Sequence, residues 1–240
     1  MITQNNIANR KTPNVLNKSA CITNDSSKIS KINRDDINIS IWQRNLNNHT
    51  LEASEYVLTK NPLLEFSEVL QPENVIESLK TSIGSNEEML PFYDDVFNLV
   101  SMFCKTFDQK KAWLRLDGID HPMCPRFHTD KLKCRLVTTY IGPATQWLPH
   151  DLVNRSKLGH GNQGKPDDKS GLFIGINDIE QLDTGHVALL KGESWKGNQG
   201  AGLVHRSPHQ EGNYKRLYMT IDFFDTYLNI SEIRGFGVLG

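Results

Sequence analysis

Two side chains of the segment RFHTD, His128 and Asp130, lie two residues apart. On an extended strand, residues two apart point to the same face, so this imidazole and this carboxylate project together. Such a pair can supply two neighbouring ligands to a metal ion, and a third ligand must then come from elsewhere. On its own the pair is a weak signal, because the same residues are common on surfaces and in cores.

A third candidate ligand, His205, ends the apolar stretch GLVHRSP. Two histidines and one carboxylate form the facial triad of non-haem iron(II) oxygenases, which leaves coordination positions open for a co-substrate and dioxygen. We therefore predict that His128, Asp130 and His205 bind one divalent metal ion.

The stretch YKRLYMTIDFF follows His205 and has the alternation of a strand. One face carries apolar side chains, and the other carries Arg216, Tyr218, Thr220 and Asp222. A polar row backed by apolar residues indicates a polar pocket inside a barrel. Arg216 could bind a carboxylate through two hydrogen bonds, and the alternative is a surface ion pair.

The order His-x-Asp, distal His205 and then Arg216 resembles the iron(II)/2-oxoglutarate-dependent dioxygenase superfamily, over about residues 112–224. The resemblance implies that the triad holds Fe(II) and that Arg216 binds the distal carboxylate of 2-oxoglutarate. CRLVTTYIGP resembles the superfamily strand whose tyrosine assists that arginine. Tyr140 matches this role, and Thr138 lies on the same face. GPATQW replaces the usual GG-[ED]-[ST] turn, a departure on the substrate side of the pocket.

CPRFHTDKLKCRLVTTYIGPATQWLP and GLVHRSP also resemble an uncharacterised bacterial family, known only as a domain of unknown function. Members of that family occur near zinc-homeostasis genes, which implies a metal-related role. Together the resemblances predict an oxygenase with an unknown small-molecule or protein substrate.

Apolar periodicity predicts the elements that position these residues. A helical layer at about 50–108 should contain helices at 51–59, 73–83 and 92–107. After residue 110 the period becomes two, and candidate strands lie at 112–118, 126–130, 134–142, 171–176, 186–192, 202–207 and 214–224, in addition to one at 37–42. The predicted fold is mostly β with N-terminal helices, the β part being a double-stranded β-helix (a jelly roll, cupin-like) at about 110–226.

The predicted domain organisation is an N-terminal arm followed by a single domain at 36–240. Residues 1–35 are rich in Asn, Ser, Lys and Thr, which predicts a disordered or loosely ordered arm. The long polar stretch at 149–170 fits either a lid over the pocket or a disordered insertion.

Zinc is the main alternative to iron. Cys124, His128, Asp130 and Cys134 form the pattern C-x3-H-x-D-x3-C, and all four are zinc ligands. An extended chain from His128 to Cys134 would span about 20 Å, which argues against one closed site. Zinc in the triad itself fits better, and a cupin-like metal-binding module in metal homeostasis, without oxygenase turnover, is the second functional hypothesis.

Charge and hydropathy exclude other classes of function. The 240 residues carry a formal net charge of −1, so no basic excess predicts nucleic-acid binding. No apolar run approaches the ~18 residues of a membrane span, and the first residues lack the apolar core of a signal peptide. We expect a cytoplasmic protein with no membrane or nucleic-acid partner.

Overall fold

The structure, a computed structural model, describes residues 17–208 and 215–224. Its helices of more than one turn are α1 (Asn48–Lys60), α2 (Val75–Ser82) and α3 (Leu90–Phe107), and α4 (Asp167–Ser170) is a single turn. The strands are β1 (Ser19–Thr23), β2 (Ile37–Trp42), β3 (Glu65–Leu70), β4 (Ala112–Ile119), β5 (Cys134–Ile141), β6 (Gln146–Leu148), β7 (Glu180–Gln181), β8 (Val187–Lys191), β9 (Val204–Arg206) and β10 (Arg216–Phe223).

The described strands form two sheets. The large sheet has the order β1-β2-β8-β5-β10-β4-β3, and the small sheet has the order β7-β6-β9. All neighbours are antiparallel except β1 and β2. An isolated bridge joins His128 to His205 and extends the small sheet by one residue. A mostly-β chain with N-terminal helices, as predicted, is therefore confirmed.

The three longer helices cover one face of the large sheet. The side chain of Asn47 caps α1 by accepting a hydrogen bond from the backbone N–H of Thr50. The predicted apolar face of α3 is confirmed, and it is buried in one cluster with the facing strands. Burial of each large apolar side chain contributes about 1.5–3 kcal/mol. Among the described helices, none combines the length and apolar character that crossing a bilayer requires.

The opposite face of the large sheet packs against the small sheet. A second apolar cluster joins Ile39, Val137 and Ala188 of the large sheet to Trp147 of the small sheet and to Leu203 beside it. A third cluster lies on the outer side of the small sheet and contains Phe127, Leu148, Leu172 and Val204. The chain is thus layered as helices, large sheet, small sheet and an outer segment.

Part of the predicted N-terminal arm is ordered, which corrects that prediction. Residues 1–16 lie outside the described part of the chain, but Ser19–Thr23 is β1 and Ser26–Asn33 forms a 3-10 helix. Ile29 and Ile32 are fully buried against the core. Two isoleucines and the pairing of β1 with β2 are enough to anchor an otherwise polar segment.

The predicted strand at 171–176 is also absent, and Ile174 is 97% exposed. Asp178 accepts hydrogen bonds from the backbone N–H groups of Ile174 and Gly175, which closes a turn instead of a ladder. Gly171 has a left-handed φ of 78°, which also breaks an extended run.

Candidate metal centre

His128 and His205 face each other on adjacent backbone segments. Each donates its backbone N–H to the carbonyl of the other, at 3.0 Å in both directions. This pairing sets the two imidazole rings side by side, with centroids 4.6 Å apart. Two residues from separate parts of the sequence are therefore positioned by main-chain bonds.

Asp130 completes the cluster. Its Oδ1 lies 3.8 Å from Nε2 of His128, and its Oδ2 lies 3.6 Å from Nε2 of His205. Ligand atoms of the three residues all lie within 4.8 Å of one another. Since metal–ligand bonds are about 2 Å long, one ion can reach all three.

Hydrogen bonds at the other ring nitrogens orient both imidazoles. Nδ1 of His128 is 2.9 Å from the carbonyl oxygen of Arg126, and Nδ1 of His205 is 3.2 Å from that of Leu203. A carbonyl only accepts, so each Nδ1 carries a proton, and Nε2 is the ring nitrogen that faces Asp130. Two neutral imidazoles and a carboxylate suit a divalent transition metal.

Electrostatics favour the protonation states that ligands need. Burial lowers the pKa of His205 to about 4, although the charge of Asp130 opposes this shift. Burial alone would raise the pKa of Asp130, but the charges of Arg135 and then of the two histidines outweigh it and lower the pKa to about 2. At neutral pH the carboxylate is ionised and His205 is neutral, as metal binding requires.

The end of β8 holds the backbone beside Asp130. The backbone N–H of Glu193 donates to the carbonyl of Asp130 at 2.9 Å. At Gly192, a Cβ atom would lie 2.1 Å from the carbonyl oxygen of Leu132 and 2.9 Å from that of Asp130. Only glycine therefore allows this close approach.

The segment at 149–170 is packed onto the protein and supports the first histidine. The buried Asp167 carboxylate accepts hydrogen bonds from the backbone N–H of Phe127 and from Arg126. Arg155 donates to the carbonyl of Gly202, two residues before β9. These bonds connect the segment to both backbone stretches that carry the histidines. A lid role stays a prediction.

Arg216 is buried, with 1% exposure, at the start of β10. Its guanidinium donates to the hydroxyls of Thr139 and Thr145, at 3.0–3.3 Å, and to Ser207 at 3.4 Å. It also lies 4.0 Å from the ring centroid of Tyr218. Within residues 17–208 and 215–224, no carboxylate lies within ion-pair distance of it. Its hydrogen bonds and ring contact there are all with neutral groups, and Asp117, a described carboxylate that interacts with its charge, lies beyond ion-pair distance.

Thr138 and Tyr140 do not lie beside Arg216, which corrects the predicted arrangement. The Tyr140 hydroxyl donates to Asp95 at 2.7 Å, and its ring packs edge-on to Phe92 of α3. Thr139 pairs with Tyr218 and points to the face of Arg216, away from the helices. Because successive side chains of a strand alternate, Thr138 points to the helical face, as Tyr140 does. Thr139 lies beside Arg216, in the position that was predicted for Thr138 and Tyr140.

The cysteine alternative fails for a similar reason. Cys134 is buried on the helical face of β5, where burial raises the pKa of its thiol. The carbonyl of Cys124 accepts a hydrogen bond from the backbone N–H of Ser207. Among the residues described, neither cysteine belongs to the candidate metal cluster.

Sequence reasoning missed Arg135, which contacts the candidate ligand Asp130. Its Nη1 lies 3.1 Å from Oδ2 of Asp130, and its Nε and Nη2 donate to Asp222 at 2.9 Å each. Arg115 binds the same Asp222 at 2.6 Å. The alternation of β5 could have indicated this residue, because Arg135 and Thr139 lie four residues apart on the strand and therefore point to the same face.

Comparison with solved structures gives the same general architecture. The dioxygenase for auxin oxidation from rice is 8% identical, with a TM-score of 0.50, over 85% of this chain and 82% of that chain. An Arabidopsis thaliana dioxygenase for auxin oxidation, solved with 2-oxoglutarate, is 9% identical over 85% and 91%, with a TM-score of 0.43. A Pseudomonas putida prolyl-4-hydroxylase is 9% identical over 82% and 97%, with a TM-score of 0.46. The likeness to the rice protein shows a shared fold.

The chain matches no curated protein. The family model described as "Protein of unknown function (DUF1826)" matches residues 23–222, which is most of the sequence. The chain therefore belongs to the DUF1826 family.

Proposed function

We propose that the chain is a non-haem iron(II)/2-oxoglutarate-dependent oxygenase whose fold is a double-stranded β-helix. One observation carries the proposal: a His–Asp–His cluster and a buried arginine without a described carboxylate partner lie on connected elements. Ser207, two residues after His205, is within 3.4 Å of the Arg216 guanidinium. The likeness of the fold to the rice dioxygenase supports the same assignment.

His128, Asp130 and His205 would hold the metal. Their donor set fits Fe(II), because two nitrogens and one carboxylate oxygen leave coordination positions open. The position of Asp130 adds a further sign of fit, since its carboxylate lies 3.8 and 3.6 Å from Nε2 of the two histidines, which is too long for hydrogen bonds and suits an ion between them. Bound iron would supply the redox chemistry that couples dioxygen reduction to decarboxylation of the 2-oxo acid.

Arg216 would bind the distal carboxylate of 2-oxoglutarate. Its guanidinium can donate two parallel hydrogen bonds to a carboxylate, and it already lies in a dry environment where such a bond is strong. Thr139 and Thr145 orient the guanidinium from β5 and the following turn. Tyr218 covers its flat face and excludes water.

The substrate would approach from the side of His128. The side chain of His128 is 36% exposed, whereas that of His205 is 7% exposed. Solvent thus reaches the cluster at one edge only. The segment 149–170 is fixed to this edge through Asp167, so it could shape the entrance.

A metal-binding module without turnover is the alternative, with zinc or iron in the same three ligands. Such a module has no need of Arg216, whose burial without an ion-pair partner among the described residues costs free energy. This cost is offset in a protein that binds an anionic co-substrate there. The arginine therefore favours the oxygenase.

Anaerobic titration separates the two functions. Purified protein is loaded with Fe(II), and 2-oxoglutarate is added while the visible charge-transfer band of the iron–2-oxo acid chelate is monitored. We expect the band in wild type and in Asp120→Ala, an exposed carboxylate outside the cluster. Asp130→Ala should lose it. Metal binding without the band in wild type would contradict the oxygenase and favour the module.

A further inference from the structure

The carboxylate of Asp130 has two differently placed oxygens. Oδ2 lies 3.1 Å from Nη1 of Arg135, whereas Oδ1 has no described contact with an arginine and lies 3.8 Å from Nε2 of His128. The side chains of Arg135 and Asp130 are only 16% and 12% exposed, so this ion pair is little screened by solvent. One oxygen of the candidate ligand is therefore already occupied by a cation.

Arg135 is itself held in place. Its Nε and Nη2 donate to the two oxygens of Asp222, at 2.9 Å each, in the parallel geometry of a bidentate pair. Asp222 is 3% exposed and also binds Arg115, whose guanidinium lies over the ring of Trp113. The guanidinium of Arg135 thus forms a rigid link from β10 to Asp130.

We propose that Arg135 is a positioning residue that keeps Asp130 a single-oxygen metal ligand, an inference that rests on the proposed function. Arg135 engages Oδ2, which leaves Oδ1 as the metal donor. A carboxylate free to turn would offer both oxygens to the ion and take up a coordination position. Three one-atom ligands leave three of six coordination positions open, two for the 2-oxo acid and one for dioxygen, so a second Asp130 oxygen would compete for one of them.

The account predicts an unusual pattern for Arg135→Gln. With Asp130 released, binding of Co(II), an oxygen-stable probe, should stay within about threefold of wild type, because a two-oxygen ligand replaces a one-oxygen ligand. Binding of 2-oxoglutarate to the Co(II)-loaded protein should weaken by about tenfold or more, the scale of outer ligand-shell substitutions. The intensity of the Co(II) d–d bands should change, which reports a new coordination number.

Arg44→Gln is the matched control. It removes a mostly buried arginine that makes a bidentate pair with Asp95 of α3, away from Asp130. Both Co(II) and 2-oxoglutarate affinities should equal those of wild type. Titration calorimetry with each ligand and the visible spectrum of the Co(II) protein give the measurements for the full-length chain.

Folding of each variant is checked by circular dichroism, and Arg135→Lys replaces Arg135→Gln if the latter does not fold. Lysine keeps the charge but cannot engage both carboxylates, so the loss of 2-oxoglutarate affinity should persist. Equal loss of Co(II) and 2-oxoglutarate binding, or no loss of either, would overturn the role of Arg135 while wild-type binding upholds the proposed function. Failure of the wild type to bind 2-oxoglutarate would overturn both.

Discussion

The two ends of the polar face of β10, defined by Arg216, Tyr218, Thr220 and Asp222, are built differently. At one end Asp222 binds Arg115 and Arg135, and Arg135 reaches Asp130, so two cations meet two carboxylates. At the other end Arg216 meets hydroxyl groups and an aromatic ring. Arg216 is buried and Arg135 is mostly buried, but of the two only Arg135 has carboxylates within ion-pair distance among the described residues.

The difference separates support from ligand binding. A buried ion pair with full hydrogen bonding offsets much of its desolvation cost, whereas a buried charge with neutral partners does not. The balanced end therefore serves to hold the metal ligand, and the unbalanced end is suited to receive an anion. Four predictions test this comparison.

The largest effect is expected on co-substrate binding at the unbalanced end. Arg216→Gln should weaken 2-oxoglutarate binding to the metal-loaded protein by roughly 100-fold or more, since loss of one partner of a buried charged pair costs at least about 2–5 kcal/mol. Co(II) affinity should not change. Calorimetric titration measures both constants, and an unaltered 2-oxoglutarate affinity would remove Arg216 from the site.

Stability should show the opposite ranking. In the metal-free protein, Arg135→Gln should lower the free energy of unfolding by about 3 kcal/mol, because it leaves Asp130 without its cation. Arg216→Gln should change it by less than about 1 kcal/mol, because Arg216 loses only bonds to hydroxyls. Urea denaturation compares the two variants. A larger loss for Arg216→Gln would contradict the difference between the ends.

The backbone contact beneath Asp130 gives an intermediate effect. Gly192→Ala should reduce Co(II) affinity by about 10- to 100-fold, since the added Cβ displaces the carbonyls of Leu132 and Asp130 and so shifts a ligand. Gly175→Ala is the control, because a Cβ there meets no atom within 4 Å. Equal Co(II) affinity in the two variants would show that the close backbone approach at Gly192 has no role in metal binding.

The smallest effect is expected for Tyr140, whose predicted position beside Arg216 was wrong. Tyr140→Phe should cost about 1 kcal/mol of stability through the lost hydrogen bond to Asp95 and should leave 2-oxoglutarate affinity unchanged. Thr139→Val, on the opposite face, should weaken 2-oxoglutarate binding severalfold, because the Arg216 guanidinium loses the hydroxyl that orients it. A weaker co-substrate affinity in Tyr140→Phe would restore the role first predicted for it.

The metal cluster could be predicted because its sequence signals lie within short segments. His128 and Asp130 both reach it, although the predicted strand at 126–130 is reduced to a single bridge at His128, and His205 lies in the middle of β9. The strong alternation of β10 likewise predicted which side chains share a face with Arg216. Long periodic segments such as α3 gave bounds within two residues.

The wrong predictions share one physical cause. The sequence of a single strand does not reveal which residues of the neighbouring strands lie beside it in the sheet. Tyr140 matched the superfamily strand by residue type, but it lies an even number of residues from Cys134 and Leu136 and so points to the apolar side of the sheet. Arg135 is held by Asp222, which lies 87 residues further along the chain and is not indicated by the sequence of β5. Short strands such as β1 and β7 carried too few apolar residues to show a period.

The most direct test of the central claim is turnover of 2-oxoglutarate. Wild-type protein with Fe(II), ascorbate and oxygen is assayed for succinate, with and without cell extract as a substrate source. The account predicts succinate formation that is lost in Asp130→Ala and strongly reduced in Arg216→Gln. Metal-loaded wild type that makes no succinate under either condition, or an Asp130→Ala protein that makes as much as wild type, would contradict it.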